Sequence, residues 1–102
     1  MREYRFKRGF KPVPERLEKM LEKHFGGYDV EGGFYIVRNF GAIEEIKLKL
    51  ENKKLYVESK TKLTDDETAA KTIKTYNKFL EELTGYTAKE RQKMMKKEAE
   101  KT

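Results

Sequence analysis

The chain has no cysteine, one serine (Ser59), one histidine (His24) and two prolines (Pro12, Pro14) among its 102 residues. Without cysteine there are no disulfides, zinc–thiolate sites or thiol nucleophiles. One serine and one histidine leave almost nothing from which to build a Ser–His relay. No apolar run approaches the roughly 20 residues of a membrane span, and the N-terminus lacks an apolar signal core, so a cytoplasmic protein with no membrane partner is expected. What the sequence has in abundance is charge. Lys+Arg number 24 and Asp+Glu 18, so charged residues make up 41% of the chain and hydrophobic ones only 36%. A chain of this length buries roughly two-thirds of its unfolded surface, enough for one modest core.

The net charge of +6 is unevenly spread. Residues 1–11 carry five cations against Glu3, a balance of +4, and residues 87–102 carry six against three carboxylates, a balance of +3. Residues 12–86 sum to −1. Clustered charge, rather than the total, creates the field that attracts a polyanion. Within the charged set Lys and Glu dominate, while Gln occurs once and Asn three times. That bias marks thermophilic proteomes, in which surface ion pairs serve stability. A Lys/Glu surface serving stability alone is therefore the plain alternative to every functional reading of these charges.

Hydrophobic periodicity divides the chain. Glu3 to Lys7 alternates, with Tyr4 and Phe6 toward a core and Arg5 and Lys7 outward, which predicts a strand. Pro14 suits the first position of a helix, and Leu17, Met20, Leu21, His24 and Phe25 form one helical stripe that Gly26 ends. From Tyr28 to Leu63 the period is two. Short strands around Asp29, over Phe34–Arg38, Ile43–Leu50 and Leu55–Lys60 predict a four-stranded antiparallel meander with one apolar and one wet face. Thr64 with Glu67 reads as a capping box opening a long helix whose stripe is Ala69, Ile73, Tyr76, Leu80 and Leu83, widened by Phe79. Thr87 with Glu90 reads as a second box, opening a basic helix over 88–100. Residues 1–86 are expected to form a single domain and 87–102 a basic helical extension. The fold class is α+β, two-layer, with helices on one face of a curved antiparallel sheet.

Three segments, MREYRFKRGF at the start, TYNKFLEELTGY in the long helix and TAKERQKMMKK in the last helix, resemble a small archaeal family of uncharacterised proteins. The likeness runs over essentially the whole chain, and LTGYTAKERQKMM is its most specific piece. It implies a TATA-binding-protein-like fold, β-α-β4-α, and carries no activity with it. Fold alone does not transfer function. The wet face of the sheet is expected to show Arg5, Lys7, Glu45, Lys47, Lys49, Tyr56, Glu58 and Lys60, mixed in sign and without the aromatic wedges that kink a minor groove.

Three surfaces are candidates. The basic ends, Arg5, Lys7, Arg8 and Lys11 with Lys89, Arg91, Lys93, Lys96 and Lys97, form a phosphate-contacting surface for RNA or DNA in the leading reading. Lys47, Lys49, Tyr56 and Lys60 make a stacking platform in a second reading, although cross-strand Lys–Glu pairs explain that face better. Met94 and Met95 dock a protein partner through the last helix in a third, against simple packing on the domain. No enzyme activity, catalytic residue, metal or cofactor is expected. His24 reads as a packed, dipole-stabilised side chain, Asp65 and Asp66 as capping groups, and the glycine pairs 26–27 and 32–33 as turns. The space between helices and sheet is expected to be filled by Phe and Leu.

Overall fold

A computed structural model describes residues 2–100, with side chains described as far as Met94. The elements are β1 (Arg2–Arg5), α1 (Pro14–Phe25), β2 (Asp29–Glu31), β3 (Phe34–Phe40), β4 (Ile43–Glu51), β5 (Lys54–Thr61), α2 (Asp66–Thr84) and α3 (Ala88–Glu100). The strands form one antiparallel sheet in the order β1-β5-β4-β3-β2, and three helices complete an α+β fold. β2 to β5 are joined by tight turns. Both loop residues have positive φ in Gly32-Gly33 and in Asn52-Lys53, the backbone hand that matches the twist of paired strands. Among the described residues, no helix is long and apolar enough to cross a membrane.

Cross-strand register separates the two faces. Tyr4, Leu55 and Leu50 lie side by side, as do Val57, Leu48 and Tyr35, and this face meets the stripe of α1 and α2. Leu17, Leu21, Phe79 and Leu83 are wholly buried there, each contributing roughly 1.5–3 kcal/mol of apolar burial. Phe25 packs edge-on against Phe40 and Phe79, with ring centroids at 4.9 and 5.2 Å. α1 ends where expected, at Gly26, whose φ of 79° turns its N–H back to the Glu22 carbonyl at 3.0 Å. The outer face holds Glu3, Lys49 and Tyr56 in one row and Ile36, Lys47 and Glu58 in another.

Four expectations need correction. β1 stops at Arg5, so Lys7 belongs to the following turn and not to the outer face of the sheet. The cap of α2 is Asp65 and not Thr64: the Asp65 carboxylate accepts the Thr68 N–H at 3.0 Å and the Thr68 hydroxyl at 2.7 Å. Ile73 is 60% exposed, and Thr72 occupies the buried position instead. Thr72 and Thr84 are tolerated inside because each hydroxyl donates to the carbonyl four residues back, at 2.7 Å. Finally, the interior is not filled everywhere. α2 presents Ala69 and Thr72, not Leu or Phe, over the far end of β4 and β5, and an apolar groove of about 330 Å³ remains there.

Candidate nucleic-acid interface

After β1 the chain turns beneath the junction of α2 and α3. The Lys7 N–H donates to the Thr84 carbonyl at 2.7 Å, and the Phe10 N–H closes a turn on the Lys7 carbonyl at 2.9 Å. The Phe10 ring lies so near Gly85 that a Cβ there would come within 2.6 Å of it, and Gly85 also needs its φ of +85° to end α2. The Arg16 guanidinium holds the same loop from the other side, donating to the Lys11 and Glu82 carbonyls at 2.8 and 3.2 Å and lying 5.5 Å from the Phe10 ring centroid. Loop 6–12 is thereby fixed against both α1 and the α2–α3 corner.

The corner itself is built by a reciprocal capping box, as expected. The Glu90 N–H donates to the Thr87 hydroxyl at 3.2 Å and the Thr87 N–H to the Glu90 carboxylate at 3.1 Å. That N–H, with the nearby charges of Lys7 and Lys93, holds the Glu90 carboxyl below the ordinary range. The Lys7 ammonium stands 3.9 Å from Glu90 and 5.8 Å from the Tyr86 ring centroid. So the two basic ends, separated by the length of the chain, meet. Lys7, Arg8 and Lys11 in the loop and Lys89 and Lys93 in the first turns of α3 are all exposed, and Phe10 and Tyr86 at the junction are half-buried.

The remaining candidates fall elsewhere. Arg91 turns inward and donates to the Tyr86 carbonyl at 2.7 Å and to Asn77 Oδ1 at 3.2 Å. It is half-buried, and burial lowers its pKa. This is a clamp between α3 and α2 rather than a group presented to solvent. Arg5 is exposed opposite Lys54 on the outer face of β1. Met94 is half-buried; Met95, Lys96 and Lys97 lie outside the residues whose side chains are described.

The outer face of the sheet is an ion-pair lattice. Lys54 meets Glu3 at 2.6 Å and Lys49 meets Glu51 at 3.0 Å. Arg38 pairs with Glu31, with Asp29 at 3.3 Å and with Glu45 at 3.7 Å. Lys49 also lies between the Phe34 and Tyr56 rings, 5.7 and 5.5 Å from their centroids. Cations already matched by neighbouring carboxylates have little charge left for phosphate.

His24 is packed as expected: its side chain is 10% exposed, edge-on to Phe79 at 6.1 Å, with Nε2 hydrogen-bonded to Glu82. Lys23 meets the same carboxylate at 3.1 Å, and the hydrogen bonds of Lys23, foremost, and of His24 hold Glu82 below the usual carboxylate range. This group ties α1 to α2. Among the described residues no group of three or more His, Cys, Asp or Glu side chains is placed to hold a metal ion.

Loop–helix docking of this kind leaves no trace in periodicity, so the meeting of the two ends was not legible from the residues, nor was the presence of Phe10 and Tyr86 at the junction. The chain is similar to hypothetical protein TA0095 from Thermoplasma acidophilum, known from an NMR solution structure. The two share 38% identity over 93% of this chain and 97% of that one, with a TM-score of 0.71. No curated protein matches the chain. Residues 1–97 match the family described as a domain of unknown function (DUF5611), and to that family the chain belongs.

Proposed function

We propose that this chain is a small, non-enzymatic binding domain that takes nucleic acid on the surface where loop 6–12 meets the α2–α3 corner. The observation that carries this reading is the bond from the Lys7 N–H to the Thr84 carbonyl at 2.7 Å, which brings the basic loop after β1 against the corner that opens the basic helix α3. Four exposed cations, Arg8, Lys11, Lys89 and Lys93, beside Lys7, which is shared with Glu90, suit a phosphate backbone. Affinity then comes mainly from phosphate contacts and depends little on sequence. The half-buried Met94 and the Arg91 clamp support packing of α3 on the domain over docking of a protein partner through it.

The element order β-α-β4-α, with β1 returning to the edge beside β5, supports a TATA-binding-protein-like fold. A groove-bending saddle does not follow from it. Such saddles are apolar with aromatic wedges, whereas the outer face here is laced with ion pairs. The test is titration of labelled single- and double-stranded oligonucleotides at low salt. Binding that weakens when Lys89 and Lys93 are neutralised is expected; no binding of either form at low salt refutes the proposal.

A further inference from the structure

We infer that the groove under the first half of α2 is a binding site for a small amphiphile, an apolar chain or ring bearing an anionic head group. It is independent of the basic patch. Its walls are Ala42, Ile43 and Ile46 on the sheet side and Ala69, Ile73 and Tyr76 on α2, around a volume of about 330 Å³. That lies at the small end of ligand pockets, which run from roughly 300 to 1,000 Å³. It suits one chain or ring system.

The polar groups around the groove are arranged in a telling way. The Thr72 hydroxyl is already satisfied, donating to the Thr68 carbonyl at 2.7 Å and accepting the Ala42 N–H at 2.9 Å. The Tyr76 hydroxyl is paired with that of Tyr4 at 3.2 Å. Neither asks for a polar partner, so the α2 side is apolar in effect. The other polar lining groups, Ser59, Thr61 and Lys62, all sit at the end of β5 and just beyond it. Among the described residues Lys62 is the one charged residue lining the groove, and its N–H is fixed to the Ala42 carbonyl at 2.9 Å. The nearby Asp65 carboxylate is engaged in capping Thr68. Lys62 therefore brings a cation to the Ala42 side of a groove whose other walls are mostly hydrocarbon, which is the complement of a carboxylate with an aliphatic tail.

Exposure points to the same place. Among the described residues three large hydrophobic side chains are exposed: Val30, Leu63 and Ile73. Ile73 lines the groove and Leu63 directly follows Lys62. On a surface otherwise crowded with Lys and Glu, an exposed isoleucine lining an apolar recess marks a site that something covers. The groove is also built, not accidental. Gly41 must lack a side chain for Thr72 to reach Ala42, since a Cβ there would stand 2.1 Å from Thr72 Oγ1.

The test is methyl NMR and calorimetric titration of the full chain with decanoate, decanol and decylammonium below their micellar concentrations. Saturable shifts confined to Ala42, Ile43, Ile46, Ala69 and Ile73 are expected, with decanoate tightest and decylammonium weakest. Lys62→Glu is expected to weaken decanoate by about fivefold and decanol little, the scale of one solvent-exposed charge pair. Ala69→Leu, which fills the groove with a strong helix former, is expected to abolish all binding; Ile73→Ser, at an exposed position that folding does not depend on, is expected to weaken it. The inference is overturned by scattered or absent shifts, by decylammonium binding as tightly as decanoate, or by a folded Ala69→Leu variant that still binds. Shifts produced by an apolar peptide and not by decanoate assign the groove to a protein partner and equally overturn it.

Discussion

Gly41→Ala is expected to destabilise this protein well beyond the ordinary cost of filling a left-handed position, and the structure supplies the control. Gly32 and Gly41 both open two-residue turns with positive φ, +56° and +53°. A Cβ on Gly32 meets nothing within 4 Å, whereas one on Gly41 meets Thr72 Oγ1 at 2.1 Å. Alanine at a left-handed position costs about 1–2 kcal/mol. Restriction of the unfolded chain returns about 0.4–1 kcal/mol of that. Gly32→Ala therefore costs about 1 kcal/mol net on these figures. In Gly41→Ala the Thr72 hydroxyl has to swing away, leaving the Ala42 N–H without its 2.9 Å acceptor. An orphaned, partly buried donor adds about 1–3 kcal/mol. With about 4–8 °C lost per kcal/mol in a domain of this size, Gly41→Ala should melt about 10 °C below Gly32→Ala. Urea and thermal unfolding followed by circular dichroism measure both. Thr72→Ala removes the obstructing oxygen, so in that background the excess cost of Gly41→Ala should shrink. If Gly41→Ala is no worse than Gly32→Ala, or if the excess is undiminished in the Thr72→Ala background, the account of this junction is wrong.

Two further predictions concern the helices. Bonds from the Thr68 hydroxyl and N–H favour the ionised form of Asp65 and hold its pKa below 3.8. Its contribution is therefore complete above about pH 4 and lost as pH falls through the folded value; Asp65→Asn should keep the cap while flattening the acid limb of the melting-temperature profile, and Thr64→Ala should leave that limb unchanged. Arg91→Ala should speed amide exchange over residues 86–94 with little change in the main melting transition, because it releases the two acceptors that tie α3 down. Arg91→Lys should not restore protection, since an ammonium cannot span both acceptors as a guanidinium does; unchanged exchange in Arg91→Ala would remove the clamp from the account.

Elements with local signals were readable from the residues. Pro14 and Gly26 bound α1, the meander declared itself by alternation from Phe34 to Lys60, and the Thr87–Glu90 box is reciprocal as its spacing implied. Errors arose where two residues compete for one role or where a polar side chain hides its polarity. Thr64 and Asp65 are both competent caps, and Asp65 wins by also holding the Thr68 hydroxyl. Thr72 reads as polar but bonds back along its own helix, which lets it face inward and turns Ile73 outward. Ile36, the register partner of Lys47, is buried on the outer face although its apolar neighbours point the other way. The site was half visible. Charge clustering located the two basic ends, but their union depends on a backbone bond between residues 7 and 84, and the loss of Arg91 to a structural role depends on Asn77. Neither has a local signature.

The most direct test of the joined basic patch is the salt dependence of binding to a labelled single-stranded oligonucleotide, followed by fluorescence anisotropy. If Arg8, Lys11, Lys89 and Lys93 each meet one phosphate, log K should fall against log salt with a slope of about −2.8, at about −0.7 per contact. Lys89→Gln with Lys93→Gln should reduce the slope to about −1.4. Lys47→Gln with Lys60→Gln, on the outer face of the sheet, should leave it unchanged. The account is contradicted by an absence of binding at low salt, or by a slope that responds to the outer-face pair and not to the helix pair.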